Sequence, residues 1–290
     1  MPENVTEKNM RQIRAASKLI RRKQRQYETQ NLQFAEMRED AGLKEYLDRT
    51  TFINKDGEVC EFTDLQKHDL NLVLQKRYAL LNWQQGSGKT AAVYHRAKYL
   101  LKFRKAKNVI ILAPAIATNM TWIPFLTINK ERFRTIQTAG DLNNIPEGTF
   151  LVVSTSMLRK LKRGLMRFVK RTSGKLCLVF DESDEITNPT SQRTRNILCI
   201  FRRLRYKILD TGTTTRNNIA ELYSQFELLY NNSVNMICWS PQVYHENRGH
   251  EIEEENNPDY GTPFPAFRGH VLFRACHCPG KATVSGIEKQ

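Results

Sequence analysis

The sequence predicts an α/β domain in which a parallel β-sheet is covered by helices on both faces. Six short runs rich in valine, isoleucine and leucine alternate with amphipathic stretches, as expected of strands buried on both faces of such a sheet. A glycine-rich loop follows the first run and opens a helical stretch, which is the setting of a phosphate-binding loop. The runs cover residues 78–83, 108–114, 134–138, 149–155, 176–180 and 206–210, and the clearest helical stretches cover residues 90–103 and 191–204. This alternation indicates a doubly wound domain.

The charge balance of the chain favours a polyanionic partner. The 290 residues include 45 Lys and Arg against 30 Asp and Glu, a formal net charge of +15. Basic side chains that neutralise phosphates release condensed counterions, although a solvated basic surface is the simpler alternative. No apolar run approaches the roughly 18 residues of a membrane span, and the N-terminus lacks the layout of a secretory signal. We therefore expect a cytoplasmic or nuclear protein that is not secreted and does not enter a membrane.

Three segments are expected along the chain. Residues 1–58 form a basic, helical N-terminal extension, with one long helix over about residues 6–38. An arm that lies along DNA and a solvated helix are both compatible with its composition. Residues 59–235 form the α/β lobe, and residues 236–290 form an irregular C-terminal segment.

Cysteine usage is compatible with a reducing compartment. The six cysteines are scattered through apolar contexts, and only Cys276 and Cys278 lie close together. A spacing of one residue is not the usual pitch of a zinc site, so we expect reduced, buried thiols. A metal site formed with His270 and His277 stays open as the alternative.

The loop after the first apolar run predicts a phosphate-binding site. Backbone N–H groups near Gly86 and Gly88 can turn towards the β- and γ-phosphates of a nucleotide. The ammonium group of Lys89 adds a point charge, and the hydroxyl of Thr90 is a ligand for Mg²⁺. Trp83 replaces the first glycine of the general pattern. We therefore predict ATP and Mg²⁺ as cofactors, bound by Gly86, Ser87, Gly88, Lys89 and Thr90.

A pair of carboxylates, Asp181 and Glu182, follows the fifth apolar run. The carboxyl ends of parallel strands meet at one edge of a sheet, so the pair is expected beside the phosphate-binding loop. Asp181 would then bind Mg²⁺ together with Thr90, and Glu182 would orient the attacking water. The predicted catalytic residues are Lys89, Asp181 and Glu182. A threonine- and glycine-rich turn, residues 211–218, follows the sixth run.

In this order the three sites resemble motifs I, II and III of the superfamily 2 helicase-type ATPases, and their detail resembles the Swi/Snf-type branch. Asn188-Pro189-Thr190-Ser191 is similar to the family's Asn-Pro-Ser-Ser stretch after motif II, and Glu221-Leu222-Tyr223-Ser224 to its Glu-Leu-Trp-Ser. Thr211-Gly212-Thr213, with Asn217 and Asn218, is similar to its motif III. The resemblance covers about residues 60 to 230. It implies a RecA-like parallel sheet and the first, N-terminal lobe of a two-lobed motor.

The resemblance also implies roles for residues outside these sites. Gln66 stands where the family has a glutamine that reads adenine. Two further motifs, similar to those that touch the nucleic-acid backbone, contain Pro114 and Asn119 in one case and Ser154 and Thr155 in the other. A basic segment follows, and we interpret Lys160 and Arg163 as further phosphate contacts, with a solvated helix face as the alternative. The residues implied in coupling hydrolysis to movement are Asp184, Thr211, Gly212 and Thr213.

The function implied by the resemblance is ATP hydrolysis coupled to movement on double-stranded DNA. Asp184 stands where the family commonly has His or Gln, a departure that bears on this coupling. The partner is expected to include a second RecA-like lobe, in cis or in trans, which supplies an arginine finger. Without that finger the chain is expected to be weakly active or inactive, a loss on the order of 10³-fold or more. A catalytically silent module that binds ATP and DNA, and an RNA helicase of the same superfamily, stay open as alternatives.

Overall fold

The computed structural model describes residues 37–172, 175–189, 191–213 and 219–230, and two short C-terminal strands at 283–284 and 287–288. Nearly all of the predicted N-terminal helix lies outside the described residues. The same holds for most of the irregular C-terminal segment, including Cys276, Cys278, His270 and His277, and for Asn217 and Asn218 of the turn after the sixth run. The described cysteines, Cys60, Cys177 and Cys199, are free thiols.

The described chain opens with a small helical and hairpin unit that packs on the lobe. It consists of α1 (Ala41–Asp48), the antiparallel strands β1 (Thr51–Ile53) and β2 (Val59–Glu61), and α2 (Asp64–Leu74). Leu47 of α1 is buried in the hydrophobic cluster on one face of the main sheet. The boundary expected between residues 58 and 59 falls inside this hairpin.

The centre of the fold is a six-stranded parallel sheet. Its strands lie in the order β3-β8-β7-β4-β6-β5, and every neighbouring pair is parallel. They are β3 (Tyr78–Leu81), β4 (Asn108–Ala113), β5 (Phe133–Thr135), β6 (Phe150–Ser154), β7 (Leu176–Phe180) and β8 (Tyr206–Asp210). All six predicted runs are strands of this sheet, so the predicted α/β fold with a parallel sheet is confirmed. The first four runs were predicted slightly too long, because the residues beyond each strand belong to the loops at the sheet edge.

Helices cover the two faces of this sheet. The longer ones are α3 (Lys89–Lys102), α6 (Leu158–Thr172), α7 (Gln192–Phe201) and α8 (Tyr223–Tyr230). Between β4 and β5, the short helices α4 (Ala115–Ala117) and α5 (Ile123–Ile128) are joined by a π-helical turn, Thr118–Trp122. The remaining elements are single turns of 3₁₀ helix at Gly140–Leu142, Thr155–Met157, Ser183–Ile186 and Ile219–Leu222, and the strands β9 (Thr283–Val284) and β10 (Ile287–Glu288). Within the described residues, no helix combines the length and apolarity needed to cross a membrane.

Alternate residues of each strand belong to two separate hydrophobic clusters. Val179 and Ile208 pack with α3 on one face, whereas Leu178 and Leu209 pack with α6 and α7 on the other. Because side chains alternate along a strand, the residues at the ends of β7 and β8 have a defined face. Asp181 and Asp210 continue the series of Val179 and Ile208, and so they point to the face of α3.

A buried arginine joins the two elements that flank the glycine-rich loop. Arg96 of α3 is 1% exposed, and its Nη2 donates to the backbone oxygens of Lys76 and Arg77 at 3.0 and 2.8 Å. These carbonyls lie just before β3. The guanidinium group therefore fixes α3 relative to the start of the strand that enters the loop.

Candidate nucleotide-binding site

The loop between β3 and α3 has the backbone of an anion-binding turn. Gly86 and Gly88 have φ values of 81° and 82°, which glycine adopts without the cost that a side chain would bring. Gly88 is the N-cap of α3, and no side chain caps this end of the helix. The first N–H groups of a 14-residue helix are therefore left for an anion, where the helix dipole favours negative charge.

Lys89 lies in the first turn of α3 and folds back over the loop. Its Nζ donates to the backbone oxygens of Trp83 and Gln84, both at 3.1 Å. Gly212, in the turn after β8, comes close to the same group: a Cβ atom at Gly212 would lie 3.5 Å from Nζ. The ammonium group is thus held between two loops at the carboxyl edge of the sheet by neutral carbonyls that phosphate oxygens can replace.

Helix α2 holds the loop from its outer side at two points. The amide of Gln66 caps its own helix by accepting from the N–H of Thr63 at 2.8 Å, and its Nε2 donates to the Ser87 carbonyl at 2.8 Å. The indole Nε1 of Trp83 donates to Asp69 Oδ2 at 2.8 Å. Trp83, which replaces a glycine of the general pattern, therefore anchors the start of the loop on α2. The role of Gln66 in reading adenine stays a prediction, and here its amide is engaged with the helix cap and the loop.

Asp181 follows β7 and is 8% exposed. Its Oδ2 accepts a hydrogen bond of 2.7 Å from the indole Nε1 of Trp122, which is fully buried in the π-helical turn. Burial raises the pKa of Asp181, and the Trp122 hydrogen bond and the Lys89 charge work in the opposite direction. The carboxylate is therefore oriented by one buried donor and lies within the electrostatic reach of the loop lysine.

Glu182 occupies an unusual backbone conformation next to it. Its φ and ψ are both 53°, in the left-handed region that is costly for a residue with a side chain. Burial raises the pKa of its carboxyl group, and the negative charges of Asp181 and Asp184 raise it further. The carboxylate beside the glycine-rich loop is therefore half-buried, on a strained backbone and with a raised pKa, a combination that is common at functional sites.

Asp184 contacts the turn that follows β8. The hydroxyl of Thr211 lies 3.3 Å from Asp184 Oδ1, and it also lies 3.0 Å from the backbone oxygen and the backbone nitrogen of Thr213. Both Asp184 and Thr211 are buried. The turn after β7 and the turn after β8 are thus joined by a side-chain contact, even with aspartate at this position.

Asp210 is a further carboxylate at this edge, and we did not predict it as a site residue. It is the last residue of β8, is 0% exposed, and lies next to Asp181. Burial first, and then the neighbouring charge of Asp181, raise the pKa of Asp210 well above its usual value. The one sequence signal for it is that an apolar strand ends in Asp here, as it does at Asp181.

Of the residues predicted to contact nucleic acid, all but Thr155 are at least partly exposed. Asn119 is exposed in the π-helical turn, and Pro114, just before α4, is partly exposed. Ser154 is partly exposed at the end of β6, whereas the side chain of Thr155 is 4% exposed and faces the interior. Lys160 and Arg163 are exposed on α6, a helix that contains no acidic residue.

The structure brings most of the predicted nucleotide site together. The charge of Lys89 acts on both Asp181 and Glu182, so all three lie at one end of the sheet. Thr90 is in the first turn of α3, next to Lys89, but no contact of its side chain with Asp181 is seen. Sequence reasoning missed three parts of the site: the Trp122 donor to Asp181, the Trp83 anchor on α2, and Asp210.

The chain is similar to known proteins over this region. The family model described as Type III restriction enzyme, res subunit, matches residues 12–216. The ATP-dependent helicase FUN30 of Saccharomyces cerevisiae is 27% identical over 175 residues, which are 56% of this chain and 15% of the yeast protein. The solved Sulfolobus solfataricus SWI2/SNF2 ATPase core in complex with dsDNA matches at 16% identity and a TM-score of 0.52, covering 76% of this chain and 43% of that chain.

The structural match supports the fold of this chain, and the family model shows the family to which it belongs. At 16% identity the Sulfolobus structure bears on the fold alone, and it supports the RecA-like arrangement of the sheet. The chain spans less than half of the length of each of these two relatives. The family model covers more than half of the chain and includes the glycine-rich loop, the acidic pair and the turn after β8. The chain therefore belongs to the family of the type III restriction enzyme res subunit, as a superfamily 2 helicase-type ATPase lobe with Swi/Snf-type relatives.

Proposed function

We propose that the chain is the ATP-binding lobe of a motor that hydrolyses ATP to move on double-stranded DNA. The observation that carries the proposal is the convergence of Lys89, Asp181 and Glu182 at the end of the sheet where α3 begins. Such a convergence of one cation and two carboxylates beside an uncapped helix N-terminus is suited to a nucleoside triphosphate and a divalent cation.

The residues present fit Mg²⁺ and the phosphates of ATP. Thr90 and Asp181 would hold the metal, and Trp122 keeps the Asp181 carboxylate in one orientation. The backbone N–H groups at the start of α3 and the ammonium group of Lys89 would bind the phosphates. When bound, Mg²⁺ neutralises negative charge on the phosphates and so lowers the barrier to transfer.

Glu182 is the residue we assign to the attacking water. Its raised pKa makes it a better proton acceptor than an exposed glutamate, and its fixed backbone holds the carboxylate beside the loop. Hydrolysis would be sensed through the contact of Asp184 with Thr211, because Gly212 in the same turn lies against Lys89. These contacts would connect the site of the γ-phosphate, at Lys89, with the turn after β8.

Two surfaces support nucleic acid as the polymer on which the motor moves. The π-helical turn has Asn119 on its outer side, and α6 presents basic side chains with no acidic residue among them. Contacts of this kind are to phosphates, so no sequence preference is expected. The Sulfolobus relative, whose structure is a complex with dsDNA, supports duplex DNA as the track.

A second RecA-like lobe is part of the proposal. The chain corresponds to 43% of the Sulfolobus ATPase core, and an arginine from a facing lobe is what such sites use to stabilise the transition state. We propose that this lobe is supplied by a longer form of the protein or by a partner chain. The lobe described here would then bind ATP tightly and hydrolyse it slowly when alone.

Replacing Glu182 with Gln should separate binding from hydrolysis. The amide keeps the size of the side chain but is a poor base, so ATP cleavage should fall by about 10² or more while ATP affinity is retained. The measurement is single-turnover hydrolysis with protein in excess over ATP, with duplex DNA present. Glu45→Gln is the matched control, because Glu45 is an exposed glutamate that pairs with Arg49 on the N-terminal unit, and its rate should equal that of the wild type.

Each outcome of this experiment distinguishes the alternatives. A Glu182→Gln rate equal to the wild-type rate would refute the assignment of the water-orienting residue. Tight ATP binding with no turnover, in this chain and in any longer form, would favour the catalytically silent module. Stronger stimulation by RNA than by duplex DNA would favour the RNA helicase.

Removing two charges from α6 should weaken DNA binding and reduce its salt dependence. If Lys160 and Arg163 each neutralise one phosphate, Lys160→Ala/Arg163→Ala should lower the slope of log K against log salt by about 2. Fluorescence anisotropy of a labelled duplex over a range of salt concentrations measures this slope. Lys44→Ala/Lys55→Ala, on the N-terminal unit, is the charge-matched control, and an equal effect of both pairs would show that only net charge matters.

Removing the indole donor of Trp122 should weaken metal binding. Trp122→Phe keeps an aromatic ring in the core but leaves Asp181 Oδ2 without its hydrogen bond, and loss of such an orienting partner typically weakens metal affinity by about tenfold. The measurement is the Mg²⁺ concentration that half-saturates ATP binding. Tyr94→Phe, which removes a buried hydroxyl donor to Glu131, is the control and should leave this concentration unchanged. An unchanged value for Trp122→Phe would rule out a positioning role for Trp122.

A further inference from the structure

Asp210 lies at the middle of the carboxyl edge that forms the site. Its strand, β8, pairs with β3, which enters the glycine-rich loop, and with β7, which ends before Asp181. Phe180 is opposite Leu209 in the β7–β8 register, so the next residues along the two strands, Asp181 and Asp210, are neighbours. Both side chains point to the face of α3, as the alternation of the two strands requires.

The surroundings of Asp210 do not satisfy an ionised carboxylate. The side chain is 0% exposed, and neither of its oxygens meets a donor group among the residues that the structure describes. The group beside it across the β7–β8 pair is the carboxyl of Asp181, which offers further acceptors unless one of the two is protonated. Buried polar groups are almost always paired, and an unpaired charge is costly, so this arrangement calls for a ligand.

A cation is the ligand that suits two facing carboxylates. The cationic side chain that acts on both carboxylates is Lys89, and its ammonium group already donates to two backbone carbonyls. A divalent cation placed between the carboxylates would remove their mutual repulsion and the need for a shared proton. The proposed function has a divalent cation bound to Asp181, and Asp210 would bind the same cation from the neighbouring strand.

We propose that Asp210 is a second carboxylate ligand of the divalent cation that binds with ATP beside Asp181. The inference rests on the proposed function, because the carboxylates alone do not complete a metal site. Among the described residues, no group of three or more acidic, histidine or cysteine side chains is placed to hold a metal. The remaining ligands are then phosphate and water oxygens and the hydroxyl of Thr90, which matches the preference of Mg²⁺ for one or two carboxylates plus phosphates.

The proposal predicts opposite effects of Asp210 on stability and on metal binding. Asp210→Asn and Asp210→Leu remove a buried charge that has no donor, so the protein free of metal and nucleotide should be at least as heat-stable as the wild type. The same variants should weaken Mn²⁺ binding to the ADP-bound protein by about tenfold or more. ADP affinity in metal-free buffer should be unchanged or increased, since one negative charge near the phosphates is lost.

Electron paramagnetic resonance of Mn²⁺, titrated into the protein with ADP, measures the metal affinity directly. The exposed Asp56→Asn, on the N-terminal hairpin, is the control and should bind Mn²⁺ as the wild type does. In the wild type labelled with ¹³C-aspartate, electron–nuclear double resonance should show Mn²⁺ coupled to the carboxyl carbons of two aspartates. This last measurement needs no variant to fold.

Three results would overturn the inference. They are Mn²⁺ affinity in Asp210→Asn equal to or greater than that of the wild type, coupling to a single aspartate in the labelled protein, and loss of thermal stability in both Asp210 variants. If the wild-type protein binds ADP with Mn²⁺ and one of these results is found, only the role of Asp210 is refuted. Wild-type protein that binds no nucleotide, with or without Mn²⁺, refutes the proposed function as well.

Discussion

The parallel register of β3, β8 and β7 is the constraint on which the site depends. Because the three strands run in the same direction and end at the same level, the glycine-rich loop, Asp210 and Asp181 meet at one edge. In an antiparallel arrangement the same residues would lie at opposite ends of the sheet. The helix that starts at Lys89 then adds the positive end of its dipole above the carboxylates. The local chemistry therefore follows from strand direction and register.

The edge concentrates negative charge in a place with little water. Asp181, Asp184 and Asp210 are all buried, and Glu182 is half-buried. The fold offsets part of this cost through Trp122, which donates to Asp181, and through Thr211, which contacts Asp184. The remaining cost of burying these carboxylates would be offset by a bound cation and the phosphates of a nucleotide. A protein that keeps such an arrangement gives up stability where its function requires charge.

Much of this architecture could be predicted from the sequence, because the relevant signals are local. The β-branched runs gave the six strands, and the Gly86 to Thr90 pattern gave the loop and the start of α3. The hairpin at residues 51–61 was missed, since its strands are three residues long and have no clear alternation. Trp122 as a donor to Asp181 and the pairing of Asp210 with Asp181 depend on strand order and on contacts across 59 residues in one case and 29 in the other. No single-sequence pattern reports such contacts.

We propose above that the carboxyl edge under the glycine-rich loop binds ATP together with Mg²⁺. Isothermal titration of ATP into the wild-type chain and into Lys89→Ala, each with and without Mg²⁺, tests it most directly. We expect one ATP site per chain in the wild type, with a higher affinity when Mg²⁺ is present, and an affinity about tenfold or more lower when the ammonium group is removed. No binding by the wild type, or equal affinity of the two proteins, would contradict it.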